Sequence, residues 1–312
     1  MNAPPLIVIV GATGTGKSAL SLNLAEMLER RGQHAQVVNA DAMQLYRGMD
    51  IGTAKLPLSA RRGIRHHMLD VLEVSDDASV ADYQHRARAV IDELRDEGVT
   101  PILVGGSGLY VSSVIYPFEF PGTDPVVRAR LENDLQAQGV DALAQRLADL
   151  DADVARRVGR TNARRIVRAL EIAELTGDPA RGMLPDAPEP VYASVLLGVH
   201  TERETLRERL DARVVGMWRA GLVDETRMLR KAGLERSTTA GRAIGYAQAG
   251  AQLDGAVTEA EAVADAQRLT RRYARRQVSW FRRYENVAWL DSDAPTLQRE
   301  AESAVLSRFD DL

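Results

Sequence analysis

The stretch of this sequence with the most specific chemistry is an eight-residue loop, Gly11-Ala12-Thr13-Gly14-Thr15-Gly16-Lys17-Ser18, which matches the pattern G-x-x-x-x-G-K-[ST]. Such a loop binds phosphate because its glycines let backbone N–H groups close on phosphate oxygens and the following helix N-terminus adds partial positive charge. Lys17 is expected to reach the terminal phosphates, and the Ser18 hydroxyl to ligate Mg²⁺. A glycine-rich turn with a chance Lys-Ser is the alternative. We predict that the chain binds a di- or triphosphate.

The flanking residues favour the phosphate-binding interpretation over a chance match. Residues 6–10 are all apolar, which predicts a strand buried on both faces of a parallel sheet. Residues 19–30 have helical composition and contain neither Gly nor Pro. Strand, glycine loop and helix in this order are the context that the motif requires.

Two polar residues follow other predicted strands. Asp41 comes after the short strand predicted at 35–39, and Ser107 lies in a glycine-rich turn after the apolar run 101–104. In open α/β sheets the ligand lies beyond the carboxyl ends of the strands, so Asp41 is expected close to whatever the loop holds. Its spacing alone fits a general base and an Mg²⁺-ordering residue equally well. The strand before Ser107 lacks the acidic residue of a conventional ATPase, which argues against a motor or switch NTPase.

The remaining pattern predicts an α/β fold with an all-α insert. Additional strands are predicted at 66–72 and 191–199, and helices at 81–97, 202–219, 222–231 and 259–283. Every segment from 126 to 175 looks helical, and proline-rich stretches at 120–125 and 184–190 bracket it. We therefore predict a P-loop NTPase-like parallel sheet flanked by helices, with a core formed by 1–122 and 190–312 and a helical insert at 123–189.

Composition excludes several classes of function. The 312 residues contain no cysteine, so disulfides, thiol catalysis and Cys-ligated zinc are excluded. The sequence shows neither a signal peptide nor a run of apolar residues long enough to cross a membrane, so a cytoplasmic enzyme is expected. The neighbours His66 and His67 lack an acidic partner at metal-binding spacing, which favours a capping or core role for them.

The net charge of −4 argues weakly against nucleic acid, but the arginines are clustered. On a helix, the members of a first cluster other than Arg156 would fall largely on one side, where they could follow a phosphate backbone or simply face solvent. A second cluster, on the last long helix, is interleaved with Tyr273, Trp280 and Phe281, as is typical of surfaces that face RNA. The first cluster consists of Arg156, Arg157, Arg160, Arg164, Arg165 and Arg168, and the second of Arg268, Arg271, Arg272, Arg275, Arg276, Arg282 and Arg283.

Taken together and in order, the motifs resemble those of the bacterial-type tRNA dimethylallyltransferases, also called isopentenyl-diphosphate:tRNA transferases. The resemblance runs through nearly the whole chain. Any one motif except the phosphate loop is weak, whereas the ordered set is highly specific. The matching segments are 11–18, 41–46, 48–55, 66–70, 105–110, 162–165, 168–171, 243–246 and 275–281.

The resemblance implies transfer of a dimethylallyl group from dimethylallyl diphosphate to N6 of the adenosine at tRNA position 37, beside the anticodon. It implies that the loop holds this diphosphate rather than ATP, that Mg²⁺ assists at Ser18, and that Asp41, Lys17 and Ser107 are catalytic. The protein would be a monomer, and its insert would grip the anticodon stem-loop. The implied diphosphate-binding residues are Gly11, Ala12, Thr13, Gly14, Thr15, Gly16, Lys17, Ser18 and Arg227. The implied tRNA-binding residues are Asp41, Ala42, Met43, Gln44, Ser107, Arg128, Arg164, Arg165, Ile166, Val167, Arg168, Arg242, Ala243, Ile244, Gly245, Tyr246, Ala247, Arg275 and Arg276.

The chain departs from the family pattern at three positions. Ala42 stands where the family usually has Ser, Ser107 where Thr is commoner, and Ala247 where Lys or Arg is common. Three other functions stay open: a small-molecule P-loop kinase, an adenylate dimethylallyltransferase acting on free nucleotides, and an RNA-binding module with a vestigial loop. The arginine clusters argue against the first two, and the intact Lys17, Ser18 and Asp41 against the third.

Overall fold

The computed structural model describes residues 3–183 and 189–310. The described chain divides into two compact units. The sheet unit comprises the residues up to Ile115 together with those from Tyr192 onward, and the helical unit comprises Tyr116–Val191. The sequence-based boundaries of the insert were 123 and 189. The proline-rich return predicted at 184–190 falls largely on residues 184–188, which lie outside the described residues.

The sheet unit is built on a parallel sheet in which the described residues form six strands, in the order β3-β2-β4-β1-β5-β6. Helices flank the sheet, so the predicted α/β class is confirmed. The strands are β1 (Leu6–Gly11), β2 (Ala35–Asn39), β3 (His66–His67), β4 (Thr100–Gly105), β5 (Ser194–His200) and β6 (Val287–Asp291). The helices of this unit are α1 (Lys17–Arg30), α2 (Val80–Asp96), α3 (Gly108–Ile115), α7 (Arg203–Arg219), α8 (Leu222–Lys231), α9 (Tyr246–Leu253), α10 (Glu259–Phe281) and α11 (Leu297–Asp310).

The central strand β1 explains why this sheet is stable. It pairs in parallel with β4 on one side and β5 on the other, with Ile9 opposite both Val104 and Leu197. Every residue of β1 is buried, and Ile9 packs in one cluster with Leu24 of α1 and Val305 of α11. An unbroken apolar run suits a strand covered by helices on both faces, since no side chain of it meets water.

The strand order places the loops that follow three of the strands at the same carboxyl end of the sheet. Because β2, β4 and β1 are neighbours and parallel, the segments after Asn39, Gly105 and Gly11 all leave the same end of the sheet. A Cβ on Gly105 would lie 2.3 Å from the Ala40 carbonyl oxygen, so only glycine lets the first two of these segments approach so closely. The functional side chains predicted after these strands are therefore brought together by topology.

Some element predictions were wrong in extent. The strand predicted at 66–72 is reduced to His66–His67, because Met68 and Asp70 adopt positive φ values of 58° and 55° that break the extended chain. Beyond them, only Leu72 makes an isolated bridge, to Tyr46. The strand predicted from 191 begins at Ser194.

Two C-terminal elements, β6 and α11, were not predicted. Leu290 is the only buried residue of β6, and Ala288, Trp289 and Asp291 are exposed, so this strand lacks the continuous burial of β1 and β4. An edge strand of this kind gives a weak signal, because one side of it faces solvent.

The helical unit contains α4 (Pro125–Leu150), α5 (Ala152–Val158) and α6 (Ala163–Thr176) around a core that includes Leu131, Leu147 and Leu170. Gly159, with φ of 81°, ends α5, and Asn162 caps α6 by accepting a hydrogen bond from the Arg165 N–H. The first arginine cluster is therefore divided between two helices and the turn joining them. The expectation that one helix presents it on one side was wrong.

Candidate active site

The phosphate loop joins β1 to α1 in the conformation that its glycines permit. Gly14 and Gly16 both have φ of 86°, a left-handed value that glycine adopts without steric cost. The Thr15 hydroxyl donates a hydrogen bond of 2.9 Å to the Ala12 carbonyl oxygen and closes the loop from inside. The loop is followed directly by the N-terminus of α1, which favours a bound anion.

Lys17 lies inside this loop and is partly removed from solvent. Its Nζ donates a 2.7 Å hydrogen bond to the Ala12 carbonyl oxygen. Burial lowers the pKa of Lys17 from 10.5 to about 8, and the Arg213 guanidinium adds to that effect while the Asp41 carboxylate opposes it. The charge on this lysine is therefore costly in the free protein and is favoured by an added negative group.

Asp41 is held by its backbone and by one carboxylate oxygen. The Asn39 side chain accepts a hydrogen bond from the Asp41 N–H at 3.1 Å and donates one to the Asp41 carbonyl at 3.1 Å. The Met43 N–H donates to Oδ1 of Asp41 at 2.9 Å. Among the described residues, Oδ2 of Asp41 has no hydrogen-bond partner, so this oxygen is available to accept a proton.

Ser107 lies beside Asp41, as the order of the strands predicts. Its Oγ accepts a hydrogen bond of 3.2 Å from the Ala42 N–H and lies 3.3 Å from the Tyr273 hydroxyl. Ser107 is nearly buried and comes directly after β4. The structure thus brings Lys17, Asp41 and Ser107, the three predicted catalytic residues, to one edge of the sheet.

Three tyrosines lie near Asp41, and sequence reasoning missed this grouping. The rings of Tyr83 and Tyr110 lie 4.8 Å apart, and the Tyr83 hydroxyl donates to the Asn39 carbonyl at 2.7 Å. Burial, together with the nearby Asp41 carboxylate, raises the pKa values of Tyr83, Tyr110 and Tyr273. These tyrosines are therefore neutral at physiological pH; Tyr83 and Tyr110 are buried, and Tyr273 is half-buried.

Arg213 of α7 is a second residue that sequence reasoning missed. Its guanidinium donates to the Thr13 hydroxyl at 3.0 Å and to the Thr53 carbonyl at 3.4 Å. Burial lowers the pKa of Arg213, and the Asp41 carboxylate raises it. Nothing in the sequence distinguishes Arg213 from the other arginines of its helix, so only the fold identifies it.

Arg227, predicted as a diphosphate ligand, lies on α8 rather than in the phosphate loop. Its side chain is half exposed and forms an ion pair with Asp224 of the same helix. The structure therefore places Arg213, and not Arg227, in hydrogen-bond contact with the loop.

Helix α10 divides its side chains between two faces. Tyr273 and Gln277 point to the loops described above, Phe281 is fully buried, and the Trp280 ring packs on Gly108, where a Cβ would lie 2.4 Å from it. Of the three aromatic residues expected beside these arginines, Phe281 is buried, whereas the Arg276 guanidinium lies 5.7 Å from the centroid of the Tyr273 ring and that of Arg283 lies 5.8 Å from the centroid of the Trp280 ring. That this surface faces RNA stays a prediction. The exposed arginines without an ion-pair partner among the described residues form what we call the outer arginine face, Arg272, Arg275, Arg276, Arg282 and Arg283.

The predicted tRNA-binding residues of the helical unit fall into three groups. Arg164 and Arg165 are exposed, whereas Ile166 and Val167 are buried in the core. Arg128 and Arg168 both pair with the fully buried Glu171. Arg168 also donates to the carbonyl oxygens of Pro121 and Gly122.

In the sheet unit the predicted segment 242–247 is also mixed. Arg242 and Ala247 are exposed, Ile244 is half-buried, and Ala243, Gly245 and Tyr246 are buried. The Tyr246 hydroxyl donates to Glu225 at 2.5 Å and accepts from the Gly52 N–H at 3.1 Å.

The segment that follows Asp41 is partly exposed. Ala42, Met43 and Gln44 are each half-buried, and the Gln44 amide donates to the Thr53 carbonyl at 3.1 Å. Side chains that are only half-buried remain reachable by a partner, so this segment is compatible with the contacts predicted for it.

The residues present fit a magnesium ion bound together with phosphate. Among the described residues, no group of three or more His, Asp or Glu side chains is arranged around one point as a metal site would require. Mg²⁺ in phosphate sites takes only one or two protein ligands and completes its shell with phosphate oxygens and water. The Ser18 hydroxyl is exposed at the start of α1 and suits that limited role.

Comparison with known proteins agrees with this geometry. The sequence model of a family described as IPP transferase matches residues 44–284. A tRNA dimethylallyltransferase of Clavibacter sepedonicus is 55% identical over 301 residues, covering 96% of this chain and 98% of its own length. One from Thermobifida fusca is 54% identical over 305 residues, covering 98% and 95%.

Solved structures show the same fold. A tRNA isopentenylpyrophosphate transferase of Bacillus halodurans matches with a TM-score of 0.72 and 37% identity, covering 98% of this chain and 97% of its own. A eukaryotic dimethylallyltransferase acting on tRNA, at 24% identity, matches with a TM-score of 0.81 and covers 99% and 80%. At that identity the second match supports the fold alone.

Proposed function

The chain belongs to the IPP transferase family, and on that premise we propose that it transfers the dimethylallyl group of dimethylallyl diphosphate to N6 of the adenosine at tRNA position 37. The activity is prenylation of a tRNA adenosine. The reacting atoms, the position of that adenosine in the tRNA and the roles of the residues are what we propose. The proposal is carried by one observation: a carboxylate with a free oxygen, Asp41, shares a sheet edge with the phosphate loop and two cations, Lys17 and Arg213.

The phosphate loop binds the diphosphate of the donor. Its amides, Lys17 and Arg213 supply the positive charge, and the low pKa of Lys17 means that a bound anion adds stability to that ammonium. As the prenyl C1–O bond breaks, its electron pair leaves with the diphosphate, and these groups stabilise the developing negative charge.

Asp41 acts on the acceptor side. The adenosine N6 attacks C1 of the prenyl group, and the proton released from N6 as the N–C bond forms passes to Oδ2 of Asp41. An adenine amine is a poor nucleophile, so its placement against C1 supplies much of the rate. The base must leave its stack to reach this edge of the sheet, and Ser107 and the backbone after Asp41 hold it there.

Mg²⁺ is the proposed cofactor, with Ser18 as its protein ligand. When bound it would neutralise charge on the diphosphate oxygens and so help the leaving group depart.

Contacts with tRNA are proposed on each unit separately. The outer arginine face of α10, including Arg275 and Arg276, is suited to the phosphate backbone, and the exposed Arg164 and Arg165 to the anticodon stem-loop. None of the helices within 3–183 and 189–310 combines the length and apolar character needed to span a bilayer. A cytoplasmic location and a monomeric state stay predictions.

The test uses purified protein, Mg²⁺, labelled dimethylallyl diphosphate and three acceptors: an unmodified anticodon stem-loop, the same stem-loop with guanosine in place of the target adenosine, and AMP. Label should pass to the first acceptor alone. Asp41→Asn, which keeps the oxygen that accepts from Met43, should lose roughly 10²- to 10⁴-fold in rate while still binding inorganic pyrophosphate. Label on AMP would instead support a free-nucleotide transferase. A parallel incubation contains ATP and no acceptor, and ATP turnover there, without prenyl transfer in the other arms, would support a kinase.

A further inference from the structure

We propose that α10 is a two-point brace that holds the phosphate loop and the Asp41 loop in register, with Gln277 and Tyr273 as its positioning residues. The inference rests on the proposed function, because it assigns a role in aligning the two substrates of that reaction. Gln277 and Tyr273 touch neither substrate. They act through the backbone of the two loops, which contacts the substrates.

The first point of the brace is Gln277. Its side chain is 4% exposed and makes two hydrogen bonds to two different loops. Its Oε1 accepts from the Thr13 N–H at 2.9 Å, and its Nε2 donates to the Gly106 carbonyl at 2.8 Å. One amide group therefore ties the phosphate loop after β1 to the turn after β4.

The contact with Thr13 matters because Thr13 precedes Gly14, the first of the two left-handed glycines of the phosphate loop. The orientation of Thr13 sets the direction in which the following amides point. Arg213 fixes its hydroxyl from α7 while Gln277 fixes its N–H from α10. With both contacts in place the loop is pre-organised, so less ordering is needed when the diphosphate binds.

The second point is Tyr273, four residues earlier and hence on the same face of the helix. Its hydroxyl lies 3.3 Å from Ser107 Oγ, which accepts from the Ala42 N–H at 3.2 Å. Through Ser107, Tyr273 is connected to the backbone directly after Asp41. The loop that carries the base is thus held by the same helix as the phosphate loop.

The neighbouring glycines show how closely the brace fits. A Cβ on Gly106 would lie 2.3 Å from Nε2 of Gln277, and one on Gly108 would lie 2.4 Å from the Trp280 ring. Gln277 and Trp280 therefore pack directly on the backbone of these two glycines, where no larger residue would fit unless these side chains moved. Displacements of about 1 Å can cost an enzyme roughly 10²-fold in rate, so a brace of this kind bears directly on catalysis.

α10 has anchors away from this site, so removing Gln277 should leave the fold intact. Gln267 of the same helix donates to the Asp211 carbonyl at 3.1 Å, and Arg271 pairs with the Asp211 carboxylate. Trp280 Nε1 donates to Ser112 Oγ at 3.0 Å. Gln267 thus provides a matched control: a glutamine on the same helix that bonds a carbonyl of α7 instead of a loop that follows a strand.

The experiment compares Gln277→Met with Gln267→Met in the full-length protein. Both variants replace a glutamine with a methionine of similar size and so remove one side-chain amide. Only Gln277→Met removes the hydrogen bonds to Thr13 and Gly106. We expect Gln277→Met to weaken inorganic pyrophosphate binding by roughly tenfold and to raise KM for dimethylallyl diphosphate in parallel, while Gln267→Met changes each by less than about twofold. Tyr273→Phe should leave pyrophosphate binding unchanged and lower kcat with the stem-loop.

If Gln277→Met fails to fold, Gly106→Ala replaces it, because its added Cβ displaces the Gln277 amide while glutamine stays in place. Unchanged pyrophosphate binding in a folded variant would overturn the brace. So would equal effects of the two glutamine variants. Pyrophosphate binding does not depend on the acceptor, so wild-type protein that binds pyrophosphate but never prenylates the stem-loop would refute the proposed function alone.

Discussion

Raising the pH from 7 to 9 should weaken the use of dimethylallyl diphosphate through the titration of Lys17. With a pKa of about 8 in the free protein, this lysine is roughly nine-tenths protonated at pH 7 and roughly one-tenth at pH 9. Since only the ammonium form attracts the diphosphate, kcat/KM should fall about tenfold over that interval. A lysine at the ordinary value of 10.5 would stay roughly 97% charged at pH 9 and cause almost no change.

The effect should lie in KM rather than in kcat. The ratio kcat/KM reports ionisation in the free enzyme, whereas kcat reports the complex, where the bound anion favours the charged lysine. The assay measures initial rates at saturating stem-loop over a series of donor concentrations from pH 6.5 to 9.5, together with pyrophosphate affinity at each pH.

Lys17→Met is the control for this experiment, because it has no titrating group in the loop. It should be slow at every pH and should lack the inflection near 8. A slope that persists in Lys17→Met would assign the titration to another group. A wild-type kcat/KM that stays constant between pH 7 and 9 would refute the argument from burial.

Three further changes have defined outcomes. Arg213→Met should lower kcat/KM for the donor roughly 10- to 100-fold, and it should move the Lys17 inflection to higher pH because Arg213 contributes to lowering that pKa. Glu171→Gln should destabilise the helical unit by about 2–4 kcal/mol, measured by hydrogen exchange, because it leaves two partly buried arginines without their carboxylate. Tyr246→Phe should cost about 1–2 kcal/mol in chemical denaturation, since it removes the buried hydroxyl that donates to Glu225 and accepts from the Gly52 N–H.

The Glu171 pair also predicts a dependence on pH. Burial alone would raise the pKa of Glu171, but hydrogen bonds from Arg128 and Arg168 outweigh it and hold that pKa below its usual range. The stability it contributes is therefore complete above the pKa of an unfolded glutamate and is lost as the pH falls through the lower folded value. Glu171→Gln should lack this acid-induced loss.

Each of the three substitutions has a result that would count against it. An unmoved pH inflection in Arg213→Met would exclude the coupling between the two cations. Equal hydrogen exchange in wild type and Glu171→Gln would show that the arginines find other partners. Unchanged stability in Tyr246→Phe would mean that water replaces the hydroxyl.

The sequence alone was sufficient for the elements whose signals are local. β1 and the helix after the phosphate loop were predicted because an unbroken apolar run and a loop motif each lie within a few consecutive residues. The edge strand β6 was missed because its apolar run, Val287–Leu290, is only four residues long, and so short a run does not by itself distinguish a strand from part of a helix. The strand predicted at 66–72 was too long because Met68 and Asp70 adopt positive φ values, and both bond to residues distant in sequence: the Met68 carbonyl accepts from the Asn39 side chain, and the Asp70 carboxylate accepts from Lys55.

The sequence by itself determined that the chain has a phosphate loop, which residues form it, and that Asp41 and Ser107 each follow a strand. That these two strands are neighbours was decided by the fold. Only the tertiary structure decided which distant side chains complete the site. Arg213, Tyr273 and Gln277 lie far along the chain from the loops they contact, on helices whose local pattern reveals only which face is apolar. The physical reason is that a hydrogen bond between loops depends on how helices pack against the sheet, and a local sequence pattern does not encode that geometry.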